Sequence, residues 1–225
     1  DSVYNRGMAI RARIKDFSAR ERSGFVLEKM QAYFLMDTAR IEVSDLEIKT
    51  ENSSVGGMVE AAAGILKSDS SAPLSARLTA TIGMQDVLYF YPELSKMPDR
   101  TLLTKKVVFS GDLSGTLNDL SVNTVRVDMA PYLRLSLSGV LQSVLAPKDM
   151  SGRLRFDGEL RETNFLLAFL PDTALRHRLA LPEYMTIGGL LAARNGTFFP
   201  QLKVTADEGS LAVSGSFARV SEAYL

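Results

Sequence analysis

Strict alternation of apolar and polar residues is the feature that most constrains this 225-residue chain. Successive side chains of a β-strand point to opposite sides, so a period of two predicts strands with one apolar and one polar face. The pattern fills segments 30–36, 41–48, 74–82, 107–117, 133–141, 154–160, 202–206 and 211–217. Between Val43 and Leu46 the alternation slips, which predicts a β-bulge at Ser44-Asp45. We therefore expect an all-β chain, an elongated antiparallel sheet of repeated meanders.

Two short aromatic runs break the alternation. They are Asp86-Val-Leu-Tyr-Phe-Tyr-Pro92 and Asn164-Phe-Leu-Leu-Ala-Phe-Leu-Pro171. Each follows a residue that commonly caps a helix N-terminus, and each ends at a proline, so we predict one or two helical turns in each. Two short buried strands are the alternative interpretation.

An internal repeat organises the second two thirds of the chain. Four landmarks recur in the same order about 76–79 positions apart: Pro92 and Pro171, Gly111 and Gly189, Asn118-Asp119 and Asn195-Gly196, Ser138-Gly139 and Ser214-Gly215. The landmarks predict two copies of one unit, a strand, a short helix and a meander of about four strands. We assign residues 72–149 and 150–225 to these units and residues 1–71 to a preceding β segment. Residues 51–72 fit either a connecting loop or a frayed strand.

Composition and motifs argue against catalysis. The 26 basic and 26 acidic residues give a net charge of zero, so we expect no nucleic-acid partner. The chain has no cysteine, and its single histidine, His177, leaves almost no ligand set for zinc, copper or iron. His177 lies between two arginines, typical of a surface histidine. No phosphate loop, dinucleotide fingerprint or nucleophile elbow occurs, so we expect no enzyme, no cofactor and no metal.

The apolar stripe is the remaining signal, and the residues leave two interpretations open. Each apolar face could pack on a second sheet, as in a closed β-sandwich. Alternatively, glycines scattered through the apolar positions suit a curved, open sheet whose apolar groove holds acyl chains. The groove-lining residues would be Phe109, Leu113, Leu135, Leu137, Phe156, Ile187, Leu191, Leu211, Val213 and Phe217.

Two parts of the chain resemble the repeats of TamB and AsmA-like proteins. They are the stretch from Tyr184-Met-Thr-Ile-Gly-Gly to Asn195-Gly-Thr197, and Gln201-Leu-Lys-Val-Thr-Ala-Asp-Glu-Gly-Ser-Leu-Ala-Val-Ser-Gly-Ser-Phe217. Phe25-Val-Leu-Glu-Lys-Met30 and the segment from Ile41 to Ser54 look like the TamB-type chains of Bacteroidetes. The resemblance is one of texture (strand, glycine, turn) and covers most of the chain.

The resemblance implies a setting and a function. The family's proteins are periplasmic, carry one inner-membrane helix near the N-terminus, and form a gutter-shaped β-sheet (β-taco) with an apolar interior. Its members pair with an Omp85-class outer-membrane barrel and are implicated in moving phospholipid between the membranes. The longest apolar run here, Phe165–Leu170, is too short to span a bilayer. We therefore expect a segment of a longer envelope protein, with anchor and barrel contacts elsewhere.

Two alternatives to lipid transport stay open on the sequence. One is a scaffold for outer-membrane protein assembly that adds strands to a free sheet edge. The other is a closed β-sandwich binding module without a groove.

Overall fold

A computed structural model describes residues 9–22, 24–96, 100–169 and 178–218. Within these ranges the strands are β1 (Ile10–Arg20), β2 (Val26–Met36), β3 (Arg40–Thr50), β4 (Ser54–Ala62), β5 (Leu74–Gly83), β6 (Lys106–Gly115), β7 (Asp119–Met129), β8 (Leu133–Gln142), β9 (Ser151–Arg161), β10 (Tyr184–Arg194), β11 (Thr197–Ala206), β12 (Gly209–Ser214) and β13 (Phe217–Ala218). The α-helix α1 (Met84–Phe90) follows β5. Four 3₁₀ helices cover Ala63–Lys67, Pro92–Lys96, Arg100–Thr104 and Thr163–Phe169.

The strands form one open antiparallel sheet in which strand order follows chain order from β1 to β12. The short β13 pairs with the beginning of β11, where β12 has ended. The predicted all-β, elongated antiparallel sheet is confirmed. The predicted bulge is confirmed too, because the β3–β4 register shifts between Val43 and Leu46, and Asp45 has a φ of 52°.

The helical interpretation of the two aromatic runs is correct, although the expected cap is not. Residues 86–90 of the first run lie in α1, and residues 164–169 of the second lie in the 3₁₀ helix Thr163–Phe169, while Leu170 and Pro171 lie outside the described residues. The N-cap of α1 is Gly83, which has no side chain to cap with, and Asp86 lies in the first turn instead. The carboxylate of Asp86 points to the turn between β3 and β4, where it accepts hydrogen bonds from Thr50, Asn52 and Ser53.

Strand register joins the apolar positions of neighbouring strands into continuous rows. Directly opposed residues in an antiparallel pair lie on the same side of the sheet. One row crosses all twelve consecutive strands and consists of Phe17, Met30, Ile48, Val55, Ala80, Phe109, Val127, Leu135, Gly158, Ile187, Val204 and Leu211. We call this side the apolar face and the opposite side the polar face.

A meander places its connections on two opposite rims. The connections that leave odd-numbered strands β1 to β11 all lie on one rim, which also carries α1 and the 3₁₀ helices at 100–104 and 163–169. We call it the helical rim. There Leu102, Tyr132 and Phe165 pack with Leu160 and Met185 in a small buried cluster. Over β8 to β11 the apolar face is therefore covered at its helical-rim end.

The sheet is continuous across both boundaries of the predicted repeat units. β4 pairs with β5, and β8 pairs with β9, over ladders of eight and ten residue pairs. Within the described residues, the order strand, helical connection and three sheet positions occurs in β5 to β8 and again in β9 to β12. The division at 71/72 and 149/150 stays a prediction about sequence units rather than separate bodies.

Candidate functional site

All ten predicted groove residues lie on the apolar face. Phe109, Leu135, Ile187 and Leu211 belong to the row that crosses every strand from β1 to β12. The adjacent rows hold Leu137, Phe156 and Val213, and then Leu113 and Leu191. Phe217 joins them by stacking on Phe198, with ring centroids 5.3 Å apart. The sheet thus brings together residues that are up to 108 positions apart in sequence.

No second sheet covers this face in the described part of the chain, where every described strand belongs to the one open sheet. Near the β12 edge, Leu211, Val213 and Phe217 are 61%, 46% and 49% exposed. The other seven are half-buried by their neighbours in the sheet. A closed two-sheet sandwich is therefore not the arrangement of these residues.

Two glycines on the apolar face make room for large side chains on the strands beside them. At Gly189, a Cβ atom would lie 3.0 Å from Cζ of Phe156, and at Gly158 it would lie 3.0 Å from Cδ1 of Leu135. A Cβ contact of 3.0 Å is tighter than nearly all real ones, and at both positions a backbone oxygen of the neighbouring strand, that of Gln201 or of Arg134, would lie closer still. The phenyl ring and the leucine therefore lie across the glycine backbone, which gives a shallow hydrocarbon surface instead of interlocking knobs.

Sequence reasoning missed the part of the face that β1, β4 and β7 contribute. Phe17, Val55 and Val127 lie in the long row, but none was predicted to line the groove. The signal in β7 is alternation at Val125, Val127 and Met129, preceded by a register shift after Val122. Bulges of this kind interrupt the period of two and hide short strands from a periodicity search.

The polar face has a feature of its own, a broad open cavity of about 1160 Å³ over β7 to β11. Five cationic side chains line it, together with Asp157, Glu159, small polar residues and the apolar Leu135, Ile187 and Leu190; the cations are Arg126, Arg134, Arg153, Arg155 and Lys203. Nε of Arg134 lies 3.1 Å from Oδ2 of Asp128, and Nε of Arg155 lies 4.0 Å from Oδ2 of Asp157. The net charge of zero gives no sign of this local concentration of positive charge. By register the five cations lie on the polar face, and Leu135 and Ile187, two of the ten predicted residues, also line the cavity.

A buried carboxylate ties the helical rim together. Asp86 is 7% exposed, and its Oδ1 accepts a hydrogen bond of 3.0 Å from Nδ2 of Asn52. The hydroxyls of Thr50 and Ser53 donate to its Oδ2. Burial alone would raise the pKa of Asp86, but these hydrogen bonds outweigh it and hold the pKa below its ordinary value. The carboxylate is fully occupied with the turn, which marks it as structural.

The described residues offer no candidate metal site. Within them, no group of three or more histidine, cysteine, aspartate or glutamate side chains is placed to hold a metal ion. His177 lies outside the described ranges. None of the helices in those ranges has both the length and the apolar content needed to cross a membrane.

The open apolar face is therefore the candidate site, and it must be judged on its own geometry. No family model, curated protein or solved structure matches this chain.

Proposed function

We propose that the apolar face holds the acyl chains of phospholipids and guides them along the sheet, in an envelope protein of the TamB/AsmA-like kind. The observation that carries the proposal is the apolar row that crosses all twelve strands without a second layer over it. Exposed apolar patches beyond a few hundred Å² mark a surface that meets an apolar ligand or partner. Because the row is continuous from β1 to β12, it supplies such a surface across the whole width of the sheet.

The size of the face suits hydrocarbon chains. Neighbouring strands are about 4.8 Å apart, so the long row extends over roughly 53 Å, against about 30 Å for the hydrocarbon core of a bilayer. Each methylene removed from water contributes about 0.8 kcal/mol. A smooth surface without fixed polar contacts would hold acyl chains at successive positions with similar free energies. Such a surface favours sliding over tight, specific binding.

The mechanism needs no cofactor and no covalent step. Acyl chains leave water for the apolar face, while the headgroups stay in solvent. The resemblance to TamB and AsmA-like proteins adds the setting to the proposal. In that setting the full-length chain is anchored in the inner membrane, the sheet lies in the periplasm, and an Omp85-class barrel is contacted through parts outside this sequence.

A matched pair of valines tests the proposal. Val213 on the apolar face and Val108 on the polar face are 46% and 49% exposed. We expect Val213→Arg to lower the phospholipid that copurifies with the protein about tenfold, because a charge in the acyl path costs at least ~1.4 kcal/mol. Val108→Arg is the control and should leave the lipid content unchanged. Leu135→Arg, in the middle of the long row, should act as Val213→Arg does.

Lipid bound to each purified variant is quantified by mass spectrometry, with circular dichroism as the check on folding. Equal lipid content in Val213→Arg, Leu135→Arg and wild type would contradict the proposal. The same holds if Val108→Arg loses as much lipid as the apolar-face variants.

A second function, a scaffold that pairs with strands of outer-membrane proteins, is favoured by one specific observation. The edge strand β12 has no charged residue and no bulge, and it pairs regularly with β11 over six residue pairs. Among the described residues no strand pairs with the outer side of β12, which therefore offers backbone groups for strand addition.

A further inference from the structure

The first aromatic run lies outside the sheet and forms an exposed patch on the helical rim. Tyr89, Phe90 and Tyr91 are 47%, 66% and 67% exposed at the end of α1. Phe25, in the connection between β1 and β2, lies against them. We call these four residues the aromatic patch.

Tertiary contacts hold the aromatic patch in this exposed position. The ring of Phe25 meets Tyr89 and Phe90 edge to face, with centroids 5.6 and 5.5 Å apart. The hydroxyl of Tyr89 donates a hydrogen bond of 3.4 Å to the carbonyl oxygen of Gly24. These contacts join segments 65 positions apart in the sequence. The exposure of the rings is therefore a property of the folded chain and does not come from a frayed helix end.

The chemistry of the patch fits the interfacial region of a bilayer. Phenylalanine and tyrosine have apolar rings, and tyrosine adds a polar hydroxyl. Tyrosine is enriched at headgroup level, where the hydroxyl meets water and the ring meets hydrocarbon. Three consecutive aromatic residues at the end of a short helix present this combination at one point. A protein core would have covered them, as it covers Phe165 elsewhere on the same rim.

Positive charge flanks the patch. Arg20 at the end of β1 and Arg22 on the same β1–β2 connection as Phe25 are exposed. Residues 10–22 include five cationic and two acidic residues, and every described side chain in this range is exposed. Arg20 and Arg22, near the aromatic patch, are complementary to a membrane surface with anionic headgroups, where each cation close to the surface contributes about 1 kcal/mol.

We propose that the aromatic patch and the cationic residues beside it dock onto the interface of an anionic bilayer. Docking brings the helical rim against the membrane, and lipid would reach the apolar face over the part of this rim beside the aromatic patch, away from the buried cluster over β8 to β11. The inference deepens the proposed function and rests on it for the route of the lipid. The docking itself needs no acyl chain on the sheet.

The absence of tryptophan from the chain allows a clean test. Phe90→Trp places a single indole in the aromatic patch, and Leu145→Trp places one at a residue that is 69% exposed on the opposite rim. With vesicles of equal phosphatidylglycerol and phosphatidylcholine, we expect the emission of Phe90→Trp to shift to the blue and to be quenched by brominated acyl chains. Leu145→Trp should do neither, and pure phosphatidylcholine should give a weaker response.

Two further variants separate the contributions of the aromatic rings and of the cations to vesicle binding. Replacing Tyr89, Phe90 and Tyr91 together with serine should reduce sedimentation with the vesicles about tenfold, with circular dichroism as the folding check. Arg20→Glu combined with Arg22→Glu should remove the preference for phosphatidylglycerol. Equal shifts at positions 90 and 145, or no shift at position 90, would overturn the inference. A shift at position 90 that rises with protein concentration without vesicles would also overturn it, because the patch would then bind a second copy.

The two proposals fail separately. If vesicles bind through the patch but Val213→Arg keeps its lipid, only the acyl-guiding function is wrong. If Val213→Arg loses its lipid but no variant changes vesicle binding, only the docking inference is wrong.

Discussion

At the scale of single residues, Asp86 makes the clearest contribution to the folded state. Three donors from one tight turn converge on its buried carboxylate, and one of them is the hydroxyl of Ser53. The backbone amide of Gly83 donates a hydrogen bond of 3.0 Å to that hydroxyl. Hydrogen bonds to a charged acceptor are stronger than neutral ones. Asp86 therefore fixes the start of α1 against the end of β3, and the aromatic patch depends on that placement.

We predict that Asp86→Asn lowers the free energy of unfolding by roughly 1–3 kcal/mol at pH 7, because the charged acceptor is lost. The folded-state pKa of Asp86 is depressed, so its carboxylate adds stability above the unfolded-state pKa of about 3.9. That stability is lost as the pH falls through the folded-state value. The difference between variant and wild type should therefore shrink between pH 6 and the acid limit of the native state.

Urea unfolding at several pH values measures the effect. Asp157→Asn is the control at pH 7, because the Asp157 side chain is 69% exposed and its contact with Arg155 is 4.0 Å long. It should change stability by less than about 0.5 kcal/mol. A difference for Asp86→Asn that stays constant down to the acid limit would show that the charge is not what the turn needs.

At the scale of elements, the two edges of the sheet differ in how they meet solvent. β1 carries Arg11, Arg13 and Lys15, and its register with β2 shifts on both sides of Phe17. Charges and bulges of this kind discourage pairing with another chain. β12 has neither a charged residue nor a bulge. Strand addition is therefore expected at β12 and not at β1.

Matched alanines on the two edge strands test this expectation. Ala212→Pro in β12 should abolish capture of a labelled peptide with alternating apolar and polar residues, because proline removes a backbone donor and obstructs pairing. Ala12→Pro in β1 should leave capture unchanged. Fluorescence anisotropy of the peptide gives the affinity. If both variants lose capture equally, the edges are equivalent and the assignment to β12 is wrong.

At the scale of the whole molecule, the chain exposes more surface than a compact protein of its mass. Its accessible surface is 15215 Å², whereas a compact monomer of 24.6 kDa exposes about 10,100 Å². The excess follows from a sheet that is one layer thick. Stability must therefore come mostly from ladders between neighbouring strands, as in quasi-one-dimensional repeat proteins.

An elongated particle is the expected result in solution. Twelve strands at ~4.8 Å and strand lengths of about 36 Å give a largest dimension above roughly 60 Å, against about 45 Å for a compact chain of this length. Small-angle scattering on the monomer fraction, isolated in mild detergent if the apolar face self-associates, measures this dimension. A value near 45 Å would mean that the sheet folds onto itself in solution.

The sequence by itself determined which residues share a face. Alternation is a local property of an extended backbone, so Leu135 and Leu137 could be assigned to one side of β8 without knowing their neighbours. The bulge at Ser44-Asp45 and the helical turns near Asp86 were predictable for the same reason, since each is encoded within a few residues.

Only the tertiary structure decided what the faces meet. Cross-strand register, which aligns Phe17 with Leu211 through ten intervening strands, is set by pairing between distant segments. Whether a second sheet covers an apolar face depends on the whole chain, so the sequence left groove and sandwich open. The cations of Arg126 and Lys203, four strands apart, meet on one surface only because the sheet is assembled. The alternation of residues indicates on which face of a strand a side chain lies, whereas tertiary packing determines whether that side chain contacts protein, lipid or water.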